Sequence, residues 1–558
     1  MPDQPETLSL SPSSAARSWR DERPTFVDLL PPCDSACPAG ENIQRWLRHV
    51  QSGDYEKAWR VLTEDNPMPA IMGRICYHPC EAKCNRAEFD SAVGVNAVER
   101  FIGDEALKHG WQFAKPVKKT GKRVLIVGAG PSGLSAAYHL RKAGHTVAIH
   151  EAGPSAGGMM RFGIPRYRLP REVLDAEIQR ILDIGVELTL DAKVDDLRAT
   201  MKAGRYDAAF LGVGAQAARR AEIPAVAAST IVDAVSLLRS VEGGEKPLLG
   251  RRVAVYGGGN TALDAARTAR RLGAWEPVIV YRRTRAKMPA HDFEVDEALE
   301  EGVTVKWLST IKRVNERDIT IERMELDASG FPQPTGTFET LAADCVVLAL
   351  GQEVELDLVE RIPAIAISGG AVEIGPDMMT GAEGIFAGGD MVPGERTATV
   401  AIGHGKKAAR NIDAWLRQKD QHREPRHAAA TRINTWFYSA TPRAERPKLS
   451  LVCRQSTFDE VVHGLDETGA RNEAQRCFSC GNCFTCDSCI DVCPENAVSR
   501  VGERYEIDTQ RCTSCKLCVK ECPCGAITMA LNMAAIIPAR ATDTAPDRPP
   551  DYPAHQAR

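Results

Sequence analysis

The sequence predicts an α/β chain with two Rossmann-like dinucleotide-binding domains, a helical cysteine-bearing domain ahead of them and a small cysteine-rich α+β domain behind. Three observations predict it. A strand, glycine-rich turn, helix and second strand occur twice, as RVLIVGAGPSGLSAAYHLRKAGHTVAIHEAG and as RRVAVYGGGNTALDAARTARRLGAWEPVIVYRR. The 18 cysteines crowd the two ends: five from Cys33 to Cys84 and eleven from Cys477 to Cys524, with only Cys345 and Cys453 between. The length, 558 residues, suits about three to four domains.

Composition narrows the class of partner. The 70 basic and 74 acidic residues leave a net charge of -4, which gives no reason to expect nucleic acid or a membrane surface. Apolar stretches such as Val346–Leu350 are too short to span a bilayer. The first residues, MPDQPETLSLSPSSAARSWR, lack the apolar core of a secretory signal. A cytoplasmic protein is expected, and in that setting dense cysteine clusters point to metal or redox chemistry, not disulfides.

In chain order, the expected segments are a disordered tail (1–25), a helical domain (26–118), the first part of one dinucleotide domain (119–248) and a second dinucleotide domain (249–380). The remainder of the first domain (381–417), a charged linker (418–472), the α+β domain (473–535) and a disordered tail (536–558) follow. The helical domain is read from IQRWLRHVQSGDYEKAWRVL, where Ile43, Trp46, Leu47 and Val50 recur at the spacing of one helix face. The linker is read from QKDQHREPRH, charged and without apolar period.

In the first dinucleotide unit the strand Val124–Val127 runs into Gly128-Ala129-Gly130-Pro131-Ser132-Gly133. Gly128 permits the tight turn, Gly130 lets the backbone approach a pyrophosphate, and Gly133 lets the helix pack on the strand. Glu151 ends the second strand, where an acid bonds ribose hydroxyls. GGMMRFGIPRYRLP, which contains Gly158, and the distant GIFAGGD resemble the flavin-binding motifs of two-dinucleotide-fold flavoproteins. The resemblance implies FAD, with Asp390 bonding the ribityl chain. It also implies that Thr399 and Ala401 begin a helix aimed at the isoalloxazine, whose N-terminal positive potential stabilises the reduced flavin.

In the second unit Gly257, Gly259, Asn260, Thr261 and Ala262 form the GxGxxA variant after the strand Val253–Tyr256. Where an NAD-binding chain carries an acid at the end of the next strand, this one has Arg282 and Arg283. Guanidinium groups there suit a 2'-phosphate through charge-assisted bidentate bonds. NADPH is favoured, with NADH left open. No cysteine lies from Asn85 to Asp344, so a redox disulfide in that stretch is excluded as the outlet for electrons.

The tail supplies another outlet. Cys483, Cys486, Cys489 and Cys493-Pro494 form C-x2-C-x2-C-x3-C-P, and Cys512, Cys515, Cys518 and Cys522-Pro523 repeat it. This is the bacterial two-cluster ferredoxin spacing, in which the fourth cysteine of each run ligates the other cluster. One [4Fe–4S] cluster is expected on Cys483, Cys486, Cys489 and Cys522, and a second on Cys512, Cys515, Cys518 and Cys493. Zinc ribbons also use C-x2-C pairs; two full copies, each followed by proline, favour clusters.

CDSACPAGENIQRW, GRICYHPCEAKC and NAVERFIGDEA, together with the nucleotide motifs, resemble the small subunit of NADPH-dependent glutamate synthase and the N-terminal half of dihydropyrimidine dehydrogenase. The resemblance covers residues 26–420 and makes the first module a helical iron–sulfur domain. It implies a cluster on Cys37, Cys76, Cys80 and Glu99. A further family cluster lacks its upstream C-x2-C pair here; Cys33 and Cys84 remain, and Cys477 and Cys480 are a spare pair that could complete it. Three to four clusters are therefore expected. The implied activity is electron transfer between NAD(P)H and a ferredoxin-type or partner-subunit acceptor through FAD. The chain would be the pyridine-nucleotide subunit of a hetero-oligomer such as a 2-oxoacid:acceptor oxidoreductase, or alternatively a glutamate synthase small subunit feeding an amidotransferase.

Overall fold

A computed structural model describes residues 22–219, 223–226, 230–419, 433–502 and 504–531. The chain divides into two compact units. The larger comprises Pro31–His427 and Ala440–Cys477; the smaller comprises Met1–Leu30, Ala428–Ser439 and Phe478–Arg558.

The larger unit opens with short helices. The helix Ile43–Gln51 is capped by Asn42, whose side chain accepts from the Arg45 N–H at 3.2 Å, and it buries Ile43, Trp46, Leu47 and Val50 as its period requires. The first parallel sheet then has the strand order Ile385–Ala387, Ala208–Leu211, Arg123–Val127, Thr146–His150, Glu187–Thr189. The second has the order Thr304–Trp307, Glu276–Tyr281, Arg252–Tyr256, Cys345–Leu348, Ile231–Asp233, again parallel. Each glycine-rich turn stands at the carboxyl end of a central strand, where such sheets bind ligands.

Three boundaries differ from those expected. Ile231–Asp233 is an edge strand of the second sheet, and Asp233 caps the helix Ala234–Glu242 by accepting from Ser236 N–H at 2.9 Å; the second domain thus begins before residue 249. Residues 354–372 return to the first sheet, because Val359, Ile362, Ile365 and Val372 share a core with Leu125, Val127 and Leu211.

The third difference concerns the expected linker. Residues 420–432 lie outside the described residues, but 440–477 is a structured strap. Its helix Leu451–Ser456 packs on Asn260–Arg271, and its helix Glu467–Gln475 packs on Ile43–Gln51 and on Val95–Lys108. Charges of the strap are paired inside: Arg454 bonds Glu301 at 3.3 Å, and Arg476, expected in the α+β domain but part of the larger unit, bonds Glu473 at 2.5 Å and Asp90 at 3.0 Å.

In the smaller unit the strand Glu22–Phe26 pairs antiparallel with Ile527–Leu531, and Val498–Val501 pairs with Arg504–Ile507. The end of the expected disordered tail 1–25 is therefore strand from Glu22 onward. Phe26 stacks on Tyr505 at 5.6 Å, and Ser514 donates to the Glu22 carbonyl at 2.6 Å. The rest of that tail, and the expected tail 536–558, lie outside the described residues. Among the described residues no helix is long and apolar enough to cross a membrane.

Candidate functional site: two nucleotide turns and the cysteine sets

The first turn is built on close backbone approach. Gly128 has φ +104°, and a Cβ there would stand 2.4 Å from the Gly212 carbonyl oxygen. A Cβ on Gly133 would stand 2.0 Å from the Gly128 oxygen, so the helix Pro131–Lys142 can leave the strand only with glycine there. Gly130 and Gly158 face one another; a Cβ on Gly158 would lie 2.9 Å from the Gly130 Cα. Glu151 accepts from Ala129 N–H at 2.7 Å and from Gly153 N–H at 2.8 Å, so its carboxylate braces the turn while still lining the cavity above it.

That cavity is about 950 Å³ and reaches from Gly128, Gly130, Glu151 and Gly158 to Asp390 and Ala401. Burial pushes the Asp390 carboxyl up from its ordinary value, with Arg396 in partial opposition. Thr397 caps the helix Ala398–Leu416, accepting from Val400 N–H at 3.2 Å. Thr399 does not face this cavity. Its side chain turns to a separate, small cavity lined by cysteines, which corrects the role expected from the flavin motif: one helical residue beyond Ala398 is about 100° further round the axis.

The same large cavity extends to Gly259, Asn260 and Thr261. Beside it a second cavity of about 580 Å³ is lined by Gly257, Gly259, Thr261, Arg282 and Arg283, and also by Arg219 and Lys287. A Cβ on Gly257 would meet the Ala349 oxygen at 2.2 Å, whereas one on Gly259 would meet nothing within 4 Å. Gly259 thus leaves room above the helix N-terminus, where phosphates bind. Ala262 is buried in that helix. Asn260 is a tie: its Nδ2 donates to Tyr77 Oη at 2.7 Å and its Oδ1 accepts from His291 N–H at 3.2 Å. Tyr77 in turn stacks on His291 with ring centroids 3.7 Å apart. Sequence reasoning missed Arg219, Tyr77 and His291, because no local pattern links loops so distant in the chain, and Lys287, which lies past the end of the strand where the 2'-phosphate partner was sought.

Cys37, Cys76, Cys80 and Glu99 line one small cavity in the larger unit, with Glu41 and Thr399. Burial pushes the Cys76 thiol up to about 12, the Glu99 charge adding to it, and pushes Cys37 and Cys80 well above the usual thiol range. Burial, then Glu41, likewise raises Glu99. Asn66 donates to Glu99 at 2.8 Å and to Glu41 at 3.0 Å, which orients both carboxyls. Three thiols and a carboxyl buried together are a donor set suited to an iron–sulfur cluster, whose positive irons supply the charge that deprotonated ligands require.

In the smaller unit Cys493 lines a cavity with Cys512, Cys515 and Cys518. Burial pushes Cys518 up to about 11, with Cys512 and Cys515 and then Cys493 adding to it. Cys489 is pushed up to about 12 by burial and by Cys483, Cys486 and Cys522. Each run's fourth cysteine therefore stands with the other run. Cys524, which no set had claimed, is buried with its Sγ 3.8 Å from that of Cys522. Cys33, Cys84 and Cys477 belong to the larger unit and pack on its helical core, while Cys480 belongs to the smaller one. Among the described residues no three His, Cys, Asp or Glu side chains form a single-ion site.

The model for pyridine nucleotide-disulphide oxidoreductases matches residues 122–405. The chain belongs to this family. Within the family it departs from the redox-disulfide arrangement, having no cysteine from Asn85 to Asp344. The model for dihydropyrimidine dehydrogenase domain II, with its 4Fe-4S cluster, matches residues 29–111, and a 4Fe-4S dicluster domain matches 482–526.

Among curated relatives, the NADP(+)-dependent formate dehydrogenase subunit beta of Moorella thermoacetica is 34% identical over 80% of this chain and 70% of its own length. The NADPH-Fe(3+) oxidoreductase subunit beta of Geobacter sulfurreducens is 32% identical over 82% of this chain and 76% of its own. The glutamate synthase [NADPH] small chain of Escherichia coli is 33% identical over 69% of this chain and 89% of its own. The chain is thus an NAD(P)H-dependent oxidoreductase with FAD, NADPH and [4Fe–4S] sites, and the resemblance to the glutamate synthase small subunit holds.

Proposed function

We propose that the chain is the pyridine-nucleotide subunit of a larger redox complex, passing electrons between NADPH and a partner subunit or ferredoxin-type acceptor. Bound FAD supplies the junction between hydride and single-electron chemistry. The observation that carries the reading is a shared wall: Ile75 and Tyr77 line the large nucleotide cavity, while Cys76 between them lines the cysteine cavity. No side-chain acid or base is required at the reacting atoms; the residues bind, orient and insulate. Gly128, Gly130, Gly133, Glu151, Gly158, Asp390 and Ala401 are assigned to FAD. Gly257, Gly259, Asn260, Thr261, Ala262, Arg282 and Arg283, with Arg219 and Lys287, are assigned to NADPH.

Three clusters are assigned to Cys37/Cys76/Cys80/Glu99, Cys483/Cys486/Cys489/Cys522 and Cys512/Cys515/Cys518/Cys493. A fourth set, Cys33, Cys84, Cys477 and Cys480, is proposed on residue type and chain spacing alone. Iron analysis tests it: about 16 iron atoms per chain are expected with four clusters and about 12 with three. An unchanged iron content in Cys477→Ser/Cys480→Ser would remove the fourth.

Relatives named as beta subunits of formate dehydrogenase and of an Fe(3+) oxidoreductase support a partner that carries the second substrate. The glutamate synthase relative favours the amidotransferase reading, but the dicluster module at 482–526 is additional to that subunit's pattern. The purified chain should reduce a one-electron acceptor with NADPH and no partner. NADPH oxidation seen only with glutamine, 2-oxoglutarate and a large partner subunit would support the alternative.

A further inference from the structure

The first turn of the helix Ala398–Leu416 also separates the two cavities. Ala398 and Ala401 face the large one, and Thr399 faces the one lined by Cys37, Cys76, Cys80 and Glu99. Thr399 is only 4% exposed. A hydroxyl placed in a wall of alanines needs an acceptor, because burying it unpaired is costly. The acceptor it finds is a sulfur. Its Oγ1 lies 3.6 Å from Met72 Sδ, a weak thioether acceptor. Cys76 stands one helical turn from Met72, its N–H donating to the Met72 carbonyl at 2.9 Å, and it lines the same small cavity as Thr399. Once Cys76 is a thiolate, it is the stronger acceptor of the two.

We propose that Thr399 is a positioning residue for electron transfer, donating its hydroxyl hydrogen bond to Cys76 Sγ and so raising the potential of the cluster held by Cys37, Cys76, Cys80 and Glu99. This rests on the assignment of a cluster to those four residues. The direction follows from charge. One added electron increases the negative charge on the ligand sulfurs, and a donated hydrogen bond stabilises that reduced form more than the oxidised one.

The test is an anaerobic redox titration of the full holoprotein, followed by EPR and by flavin absorbance, in wild type, Thr399→Val and Thr399→Ser. Thr399→Val should keep the wild-type FAD and iron content and lower the midpoint of one cluster. The flavin and the two clusters of the smaller unit should stay where they were. Thr399→Ser, which retains the hydroxyl, should restore the wild-type midpoint.

A changed flavin content or flavin potential with all cluster midpoints unmoved would overturn the inference and return Thr399 to the flavin. Unmoved midpoints throughout would overturn it as well. If Thr399→Val loses iron, a shifted midpoint in Thr399→Ser overturns it. The assignment beneath is checked apart, by iron content in Cys76→Ser. Unchanged iron there defeats the cluster assignment itself, whereas lost iron there with no shift in Thr399→Val defeats only the role of Thr399.

Discussion

The two glycine-rich turns of the larger unit solve one backbone problem and are braced from opposite sides. At the first, Glu151 stands in front, accepting from Ala129 and Gly153 N–H and facing the cavity. At the second, the end of the equivalent strand carries Arg282 and Arg283, which offer donors to a ligand and accept nothing from the turn. The bracing comes from behind: Glu301, fully buried, bonds Arg267 at 2.6 Å and Arg271 at 2.7 Å, both on the helix that leaves the turn, and Arg454 of the strap at 3.3 Å. A carboxylate thus braces the first turn and the helix that leaves the second, but only the first also lines the large cavity. The second turn keeps its ligand-facing side cationic.

The largest effect expected from this contrast is at Glu301. Glu301→Ala leaves three buried arginines short of an acceptor and should cost about 3–5 kcal/mol, read as a lower melting midpoint, with FAD still bound. Gly133→Ala should come next. Its Cβ would press on the Gly128 oxygen at 2.0 Å, and overpacking of this kind costs about 1–3 kcal/mol. The protein should purify with little flavin absorbance, while Gly259→Ala, with open space above it, should fold normally and lose NADPH affinity alone.

Replacing both Arg282 and Arg283 by Ala should raise KM for NADPH by roughly 10–100-fold, the loss of about one hydrogen bond to a charged group, which contributes about 1.5–3 kcal/mol. KM for NADH should hardly move, and steady-state kinetics with both donors reads the difference. The smallest effect is at Glu151→Gln, which keeps one acceptor for the turn, sets an NH2 against the other N–H and loses the charge. A weakening of FAD retention by about 1 kcal/mol is expected, measured by flavin release on dilution.

Much of this was legible locally. The turns announced themselves through glycines whose spacing has a steric cause, and the cysteine runs through spacings that one cluster can span. Arg282 and Arg283 were found by counting to the end of a strand. What escaped depended on partners far along the chain. Residues 440–472 fell in the expected linker because the charged run QKDQHREPRH precedes them, yet Arg454 is buried and paired with Glu301. The strand Glu22–Phe26 finds its partner at Ile527–Leu531, a pairing no window reveals. Thr399 was placed on the right helix but the wrong side, because the motif marks where the helix starts and not how it is rotated.

The central claim is that electrons entering from NADPH leave through the clusters. An anaerobic titration of the purified chain with NADPH, monitored by absorbance and EPR, tests it most directly. Flavin bleaching is expected together with the signals of reduced [4Fe–4S] clusters, with more than two electrons accepted per chain. Bleaching that stops at two electrons, with no cluster signal at any NADPH concentration, would contradict it.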